Sequence, residues 1–180
     1  MTRTLQLALA TFRPRPAVPG QGLFDPSVTR MRVWPTDLDL YRHVNNGVYL
    51  QCMDVGRSNF LADLGSFAKL SEKRWYPVVA AQTIKYRRSL TLGQRFELST
   101  VTVGWDERVV YLEQTFSRGG EHVARGIVAG RFLSRDGSRV PAPDVVALIA
   151  GEQIESPPLP ADVATWARAV DVAARGQAPD

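Results

Sequence analysis

Ten residues, Asp37-Leu-Asp-Leu-Tyr-Arg-His-Val-Asn-Asn46, hold two carboxylates (Asp37 and Asp39), one of the chain's two histidines (His43) and two adjacent amides (Asn45 and Asn46). A carboxylate can serve as nucleophile or general base, and an imidazole can pass a proton. Amide or backbone N–H groups can hold a developing oxyanion. Two other chemistries are set aside. Asp37, Asp39 and His43 could ligate a metal, but no second His or Glu cluster accompanies them, so no metal site is expected. Asp37-Leu-Asp39 also suggests a phosphatase, yet no Thr or Val stands two residues after the second Asp and no Gly-rich phosphate loop follows.

The elements on either side must position these groups. Residues 28–34 alternate Thr29, Met31 and Val33 with Arg30, Arg32 and Trp34, the period of a half-buried strand. Pro35 cannot donate to a ladder and should end it. Residues 46–64 contain no proline and carry apolar side chains on nearly every side. Leu50, Met53, Phe60, Leu61 and Leu64 share one broad face; Val48, Cys52, Val55 and Ala62 cover the other. A helix apolar all round is a buried one. Asn45 or Asn46 suits its N-cap and Gly65 its C-terminal stop. Such a helix offers free N–H groups and a positive dipole end to the loop holding Asp39 and His43. Asn46 and Gly47 are therefore the candidate oxyanion positions.

The block Thr36-Asp-Leu-Asp-Leu-Tyr-Arg-His-Val-Asn-Asn-Gly-Val-Tyr-Leu50 resembles the signature of hotdog-fold thioesterases of the 4-hydroxybenzoyl-CoA and acyl-ACP thioesterase type. The closer likeness is to the thioesterase superfamily member six group. Three further segments carry it: Arg87-Arg-Ser-Leu90, Gly104-Trp-Asp-Glu-Arg-Val-Val-Tyr-Leu-Glu113 and Ser156-Pro-Pro-Leu-Pro-Ala-Asp162. The resemblance implies an α+β hotdog fold, a curved antiparallel sheet wrapped around one long buried helix. It also implies hydrolysis of an acyl-CoA or acyl-carrier thioester without a cofactor, and a homodimer or homotetramer with sites at the subunit seam. By the same resemblance Asp39 is the nucleophile or general base; Asp37 reads as structural, fixing the loop by bonds to backbone N–H groups. His43 matches the histidine of the acyl-ACP enzymes' Asp-x-Asn-x-His, with Tyr41 standing where they carry Asn. Asp54, which can also pair with Arg57 at i+3, is a second candidate carboxylate or water-positioner. Gly47, Tyr49, Arg87 and Arg88 are the candidate substrate-binding residues, the arginines for carrier phosphates. A non-catalytic acyl- or CoA-binding protein on the same fold is the competing reading, and a dehydratase pattern is not visible.

Length and composition agree with one domain. The chain has 180 residues, 44% hydrophobic and 22% charged, ordinary for a globular protein with a real core. The net charge of +4 and pI near 9.6 come mostly from scattered arginines without a basic run, so no nucleic-acid partner is expected. An anionic carrier such as CoA suits this surface better. The single cysteine, Cys52, excludes an internal disulfide and reads as buried filler. No run reaches transmembrane length, and Leu5 to Phe12 is too short for a secretory signal, so a cytoplasmic protein is expected.

Along the chain the expectation is an N-terminal arm (1–24), a hotdog domain (25–140) and a C-terminal helical extension (141–180). Residues 66–75 read as a short helix or irregular cover. Strands are expected at 78–88, 95–105, 108–117 and 122–133, joined by Asp106-Glu107 and Gly119-Gly120 and closed by Asp136-Gly137. His122, just after that hairpin turn, reads as a surface residue. Helices are expected at 144–150 and 162–174, the second with Val163, Trp166 and Val170 on one face.

Overall fold

The computed structural model describes residues 2–174. The elements in chain order are α1 (Arg3–Phe12), β1 (Ser27–Arg32), α2 (Asn46–Asp63), α3 (Ser66–Lys73), β2 (Trp75–Tyr86), β3 (Arg95–Trp105), β4 (Val110–Arg118), β5 (Glu121–Ser134), β6 (Arg139–Val140), α4 (Ala142–Ala150) and α5 (Ala161–Ala169). The sheet is antiparallel in the order β1-β3-β4-β5-β2, with β6 added to the end of β5. It curls around α2, which is the hotdog arrangement expected from the sequence.

Local signals set the ends of α2. Asn45 is the N-cap, its Oδ1 accepting the Gly47 N–H at 2.8 Å, and Gly65 follows the last turn with φ +61°, where a side chain would be strained. The helix is less uniformly buried than its composition implied. Tyr49, Cys52, Met53, Val55, Gly56, Phe60, Ala62 and Asp63 are buried, whereas Leu50, Leu61 and Leu64 are only half-buried. Burial pushes the Cys52 thiol up to about 12, so it stays neutral and acts as apolar filler.

Three apolar clusters divide the interior. The first joins the N-terminal half of α2 to Phe96, Leu98, Phe116 and Val128 on the concave face. The second gathers Leu70, Trp105, Val110, Phe132 and the α4 residues Val145, Val146 and Ile149 around the far end of the helix. The third lies under α5, where Val163 and Ala167 meet Tyr111, Ile127 and Ala129. Here the expected face is corrected: Ala167 replaces Val170, which is exposed. The helix also stops at Ala169 rather than running to residue 174, because Asp171 turns to φ +54°.

Smaller shifts have similar causes. Residues 3–12 of the arm form a helix that packs on α2, capped by Thr2. Strand β2 begins at Trp75, straight after the left-handed Arg74 (φ +59°) that ends α3, and stops at Tyr86. The β3–β4 connection is held by Asp106, whose buried carboxylate accepts N–H groups of Arg108 and Val109 and the Tyr111 hydroxyl.

Helix α2 sits close to the sheet because position 56 is glycine. A Cβ there would lie 2.7 Å from Leu98 Cδ2, 2.9 Å from Gln114 Nε2 and 3.1 Å from Thr100 Oγ1. Buried Gln114 joins the layers, donating to the Met53 carbonyl (3.0 Å) and Thr100 Oγ1 (2.9 Å) and accepting from Arg57 Nη1 (2.8 Å). Gly56→Val is expected to lower stability by about 1–3 kcal/mol through overpacking, seen as an earlier chemical-denaturation midpoint. An unchanged midpoint would mean that the contact is not tight.

Candidate active site

Backbone bonds shape the loop between β1 and α2 before any side chain enters. Residues 35–37 make a single 3-10 turn, the Asn45 N–H donates to the Asp37 carbonyl (2.8 Å), and the Val44 N–H donates to the Leu90 carbonyl (2.9 Å). The tip is closed by Asp39 N–H to the His43 carbonyl (2.8 Å) and Arg42 N–H to the Asp39 carbonyl (3.0 Å), with Arg42 at φ +63°.

Asp37 is the anchor. Its side chain accepts the Trp34 N–H at 2.7 Å, as expected of a loop-fixing carboxylate. Its other partner could not be foreseen from local sequence. Arg3, from the first turn of α1, reaches it with Nε (3.1 Å) and Nη2 (2.6 Å), and Nη2 also donates to the Arg32 carbonyl (2.9 Å). Both side chains are 2% exposed, so this is a buried bidentate ion pair whose remaining donor also finds a partner. Half-exposed Arg15 makes a second bidentate pair, with buried Asp63 at the other end of α2, its Nε and Nη2 each at 2.5 Å.

On this frame stands a polar cavity of about 290 Å³, walled by Asp39, His43, Val44, Asn46, Tyr49, Tyr86, Arg87, Arg88 and Ser89. Asp39 is half-buried. Its Oδ1 accepts the N–H groups of Tyr41 (2.8 Å) and His43 (3.2 Å), an Asx-turn, while its Oδ2 has no partner among the described residues. The Gly47 N–H is taken by the Asn45 cap, whereas the Asn46 N–H has no partner among the described residues. That free donor sits at the positive end of an 18-residue helix. The His43 ring is exposed at the cavity rim.

The far wall comes from the end of β2. Tyr49 packs edge-on against Tyr86 (5.1 Å between centroids) and Phe116 (5.2 Å), and burial raises the pKa of both tyrosines. The Tyr86 hydroxyl donates to the Asn46 carbonyl at 3.2 Å, tying strand to helix start. Arg88 spends its guanidinium on Glu121 (3.0 Å); the Arg87 guanidinium is exposed and unpaired among the described residues.

Of the residues expected from the sequence, Asp39, His43, Asn46, Tyr49, Arg87 and Arg88 meet at one cavity, and Gly47 lies beside it in the cap. Asp54 does not join them. It pairs with Arg57 and lines a second, apolar cavity deeper along the helix. Tyr86 and Arg3 were missed. Tyr86 stood in the alternating face of its strand, but nothing local said which helix end it would touch.

A family model described as Thioesterase-like superfamily matches residues 33–167, three quarters of the chain. The chain belongs to that superfamily. Among curated relatives of this thioesterase-like chain, Protein THEM6 of Danio rerio is 32% identical over 149 residues, covering 82% of this chain and 72% of that protein. Many solved structures share the fold. YbaW of Escherichia coli, named a probable thioesterase, has a TM-score of 0.64 and 21% identity over 71% of this chain and 98% of its own. Protein SAV2348 of Staphylococcus aureus, solved in complex with CoA, has a TM-score of 0.63 and 15% identity over 80% of this chain and 95% of its own. Membership of this superfamily supports thioester hydrolysis. Among the described residues no cluster of three His, Cys, Asp or Glu side chains could hold a metal ion, and no helix is long and apolar enough to cross a membrane.

Removing one partner of the Arg3–Asp37 pair leaves a charge buried alone. Arg3→Met is expected to cost about 3–5 kcal/mol of stability, measured by chemical unfolding, and Arg3→Met with Asp37→Leu to recover much of the loss. A double variant no better than the single one would mean that Arg3 acts by packing alone.

Proposed function

We propose that this chain hydrolyses acyl thioesters of CoA or of an acyl carrier, with Asp39 as nucleophile or general base. One observation carries the reading. Asp39, whose Oδ2 has no partner among the described residues, and Asn46, whose N–H at the positive end of α2 has none among them either, line the same cavity. Attack on the thioester carbonyl pushes an electron pair onto its oxygen, and a helix-end N–H stabilises that charge as it forms. Either Asp39 Oδ2 attacks and water then cleaves the acyl-enzyme, or Oδ2 takes a proton from the attacking water. In both routes the C–S bond breaks, one water is consumed, and the products are a free acid and a thiol. The exposed His43 ring suits delivery of a proton to the departing thiolate, and its backbone N–H holds Asp39 in place.

Arg87, which lines the cavity and is unpaired among the described residues, suits an anionic carrier, and the fold neighbour solved with CoA supports CoA as that carrier. A second copy would complete the enclosure. Strand β2 presents a twelve-residue outer edge of the sheet, and Tyr86 at its end is part of the cavity wall. Leu40 and Tyr41, 99% and 82% exposed at the tip of the Asp39 loop, offer apolar surface beside it. Pairing two such edges gives a homodimer, and pairing of dimers a tetramer.

In steady-state assays over a panel of acyl-CoAs, Asp39→Asn is expected to lower kcat by roughly 10²- to 10⁴-fold with little change in KM. Turnover retained in that variant removes this mechanism; binding without turnover in the wild type favours a non-catalytic acyl-binding protein. Arg87→Ala is expected to raise KM for acyl-CoA about tenfold at unchanged kcat, the loss of one charge-assisted contact. An unchanged KM would place the carrier elsewhere.

A further inference from the structure

A larger cavity of about 510 Å³ lies beyond the midpoint of α2, between the second half of the helix, the inner faces of β2, β4 and β5, and α4. Its volume is that of a small-molecule site, about 300–1,000 Å³. The walls are apolar, with Leu61, Val128, Phe132 and Val146 among them. Gly130 falls between Val128 and Phe132 on the inward face of β5, opposite the β2 bulge at Val79/Ala81. A Cβ there would meet nothing nearer than the Val110 carbonyl at 3.6 Å, so the missing side chain leaves room rather than relieving a clash. The Thr102 hydroxyl, on the cavity wall and 2% exposed, has no hydrogen-bond partner among the described residues.

The polar groups at this cavity exclude an anionic head group. Arg57 is committed to Asp54 and Gln114, so its charge is already neutralised. What fits is a neutral hydrocarbon. Helix α2 and strand β2 wall both cavities: Asn46 and Tyr86 at the polar one, Asp54, Leu61 and Val79 at the apolar one. Along the helix, Asp54 lies about 12 Å and Leu61 about 22 Å beyond Asn46 at 1.5 Å per residue. An extended single-bonded chain advances about 1.2 Å per bond, so a chain with its carbonyl at Asn46 needs about ten carbons to reach the apolar cavity.

We infer that the apolar cavity receives the distal part of an unbranched acyl chain of about ten carbons or more, which makes long-chain acyl thioesters the substrates. The inference rests on the hydrolase reading for the position of the carbonyl. The site itself is one for a hydrocarbon chain, whether carried by a thioester or by a free fatty acid.

The test compares the full-length wild type with Gly130→Leu, which fills the cavity far from Asp39. The binding arm uses fluorescent cis-parinaric acid displaced by palmitate or hexanoate. The kinetic arm uses hexanoyl-, decanoyl- and palmitoyl-CoA. The wild type is expected to bind the probe, release it to palmitate but not hexanoate, and show a KM for palmitoyl-CoA at least roughly tenfold below that for hexanoyl-CoA. Gly130→Leu is expected to lose probe binding and the palmitoyl advantage while hydrolysing hexanoyl-CoA as before. Equal probe binding in both proteins, or a wild-type preference for hexanoyl-CoA, overturns the assignment. If no acyl-CoA is turned over but Gly130→Leu still abolishes probe binding, the chain site stands and the hydrolase reading falls. Should Gly130→Leu not fold, Leu61→Phe fills the same space from the helix side and is read by the same outcomes.

Discussion

The architecture depends on bringing a helix against the concave face of a curled sheet without leaving polar groups stranded between them. Glycine at position 56 permits the approach, and Gln114 satisfies the groups that it buries by bonding to Met53, Thr100 and Arg57 together. Once α2 is seated, its axis fixes where its positive end emerges, and the Asp39 loop is built onto that end. A polar network that joins layers specifies one arrangement more sharply than apolar packing does, because a slipped register would leave its members unpaired.

The loop shows how a carboxylate can be held by one oxygen while the other is left without a partner among the described residues. The held oxygen of Asp39 is tied to two backbone N–H groups, which fixes the side chain, and the residue lines the cavity. The same division recurs at the helix start, where the Asn45 cap takes the Gly47 N–H and leaves that of Asn46. Turn and capping bonds are therefore compatible with the role proposed for these groups.

Much of this was legible in the residues, for local reasons. Pro35, Asn45 and Gly65 punctuate the chain where strand and helix end, and short turns such as Gly119-Gly120 leave antiparallel pairing as the simple outcome. The gathering of Asp39, His43, Asn46, Tyr49, Arg87 and Arg88 followed a motif with its own spacing. What was not legible depended on distant partners. Asp54 lies two turns along the helix and rotated by about 80° from Asn46, too far round to share its cavity. The Arg3–Asp37 contact spans 34 residues, and no local pattern announces such a pair. The end of α5 turned on one left-handed residue, Asp171, which helical periodicity does not foresee.

The two arginine clamps have a consequence for dissection of the molecule. Arg3 and Arg15 both precede the segment that the superfamily model covers, yet they neutralise aspartates on either side of the central helix. A fragment trimmed to the superfamily boundary would keep each residue proposed for catalysis but lose both counter-charges, one in the loop leading into that helix and one at its end. Cleavage near Gly20 that released the preceding segment would therefore strip both counter-charges while leaving every residue of the Asp39 cavity in the chain.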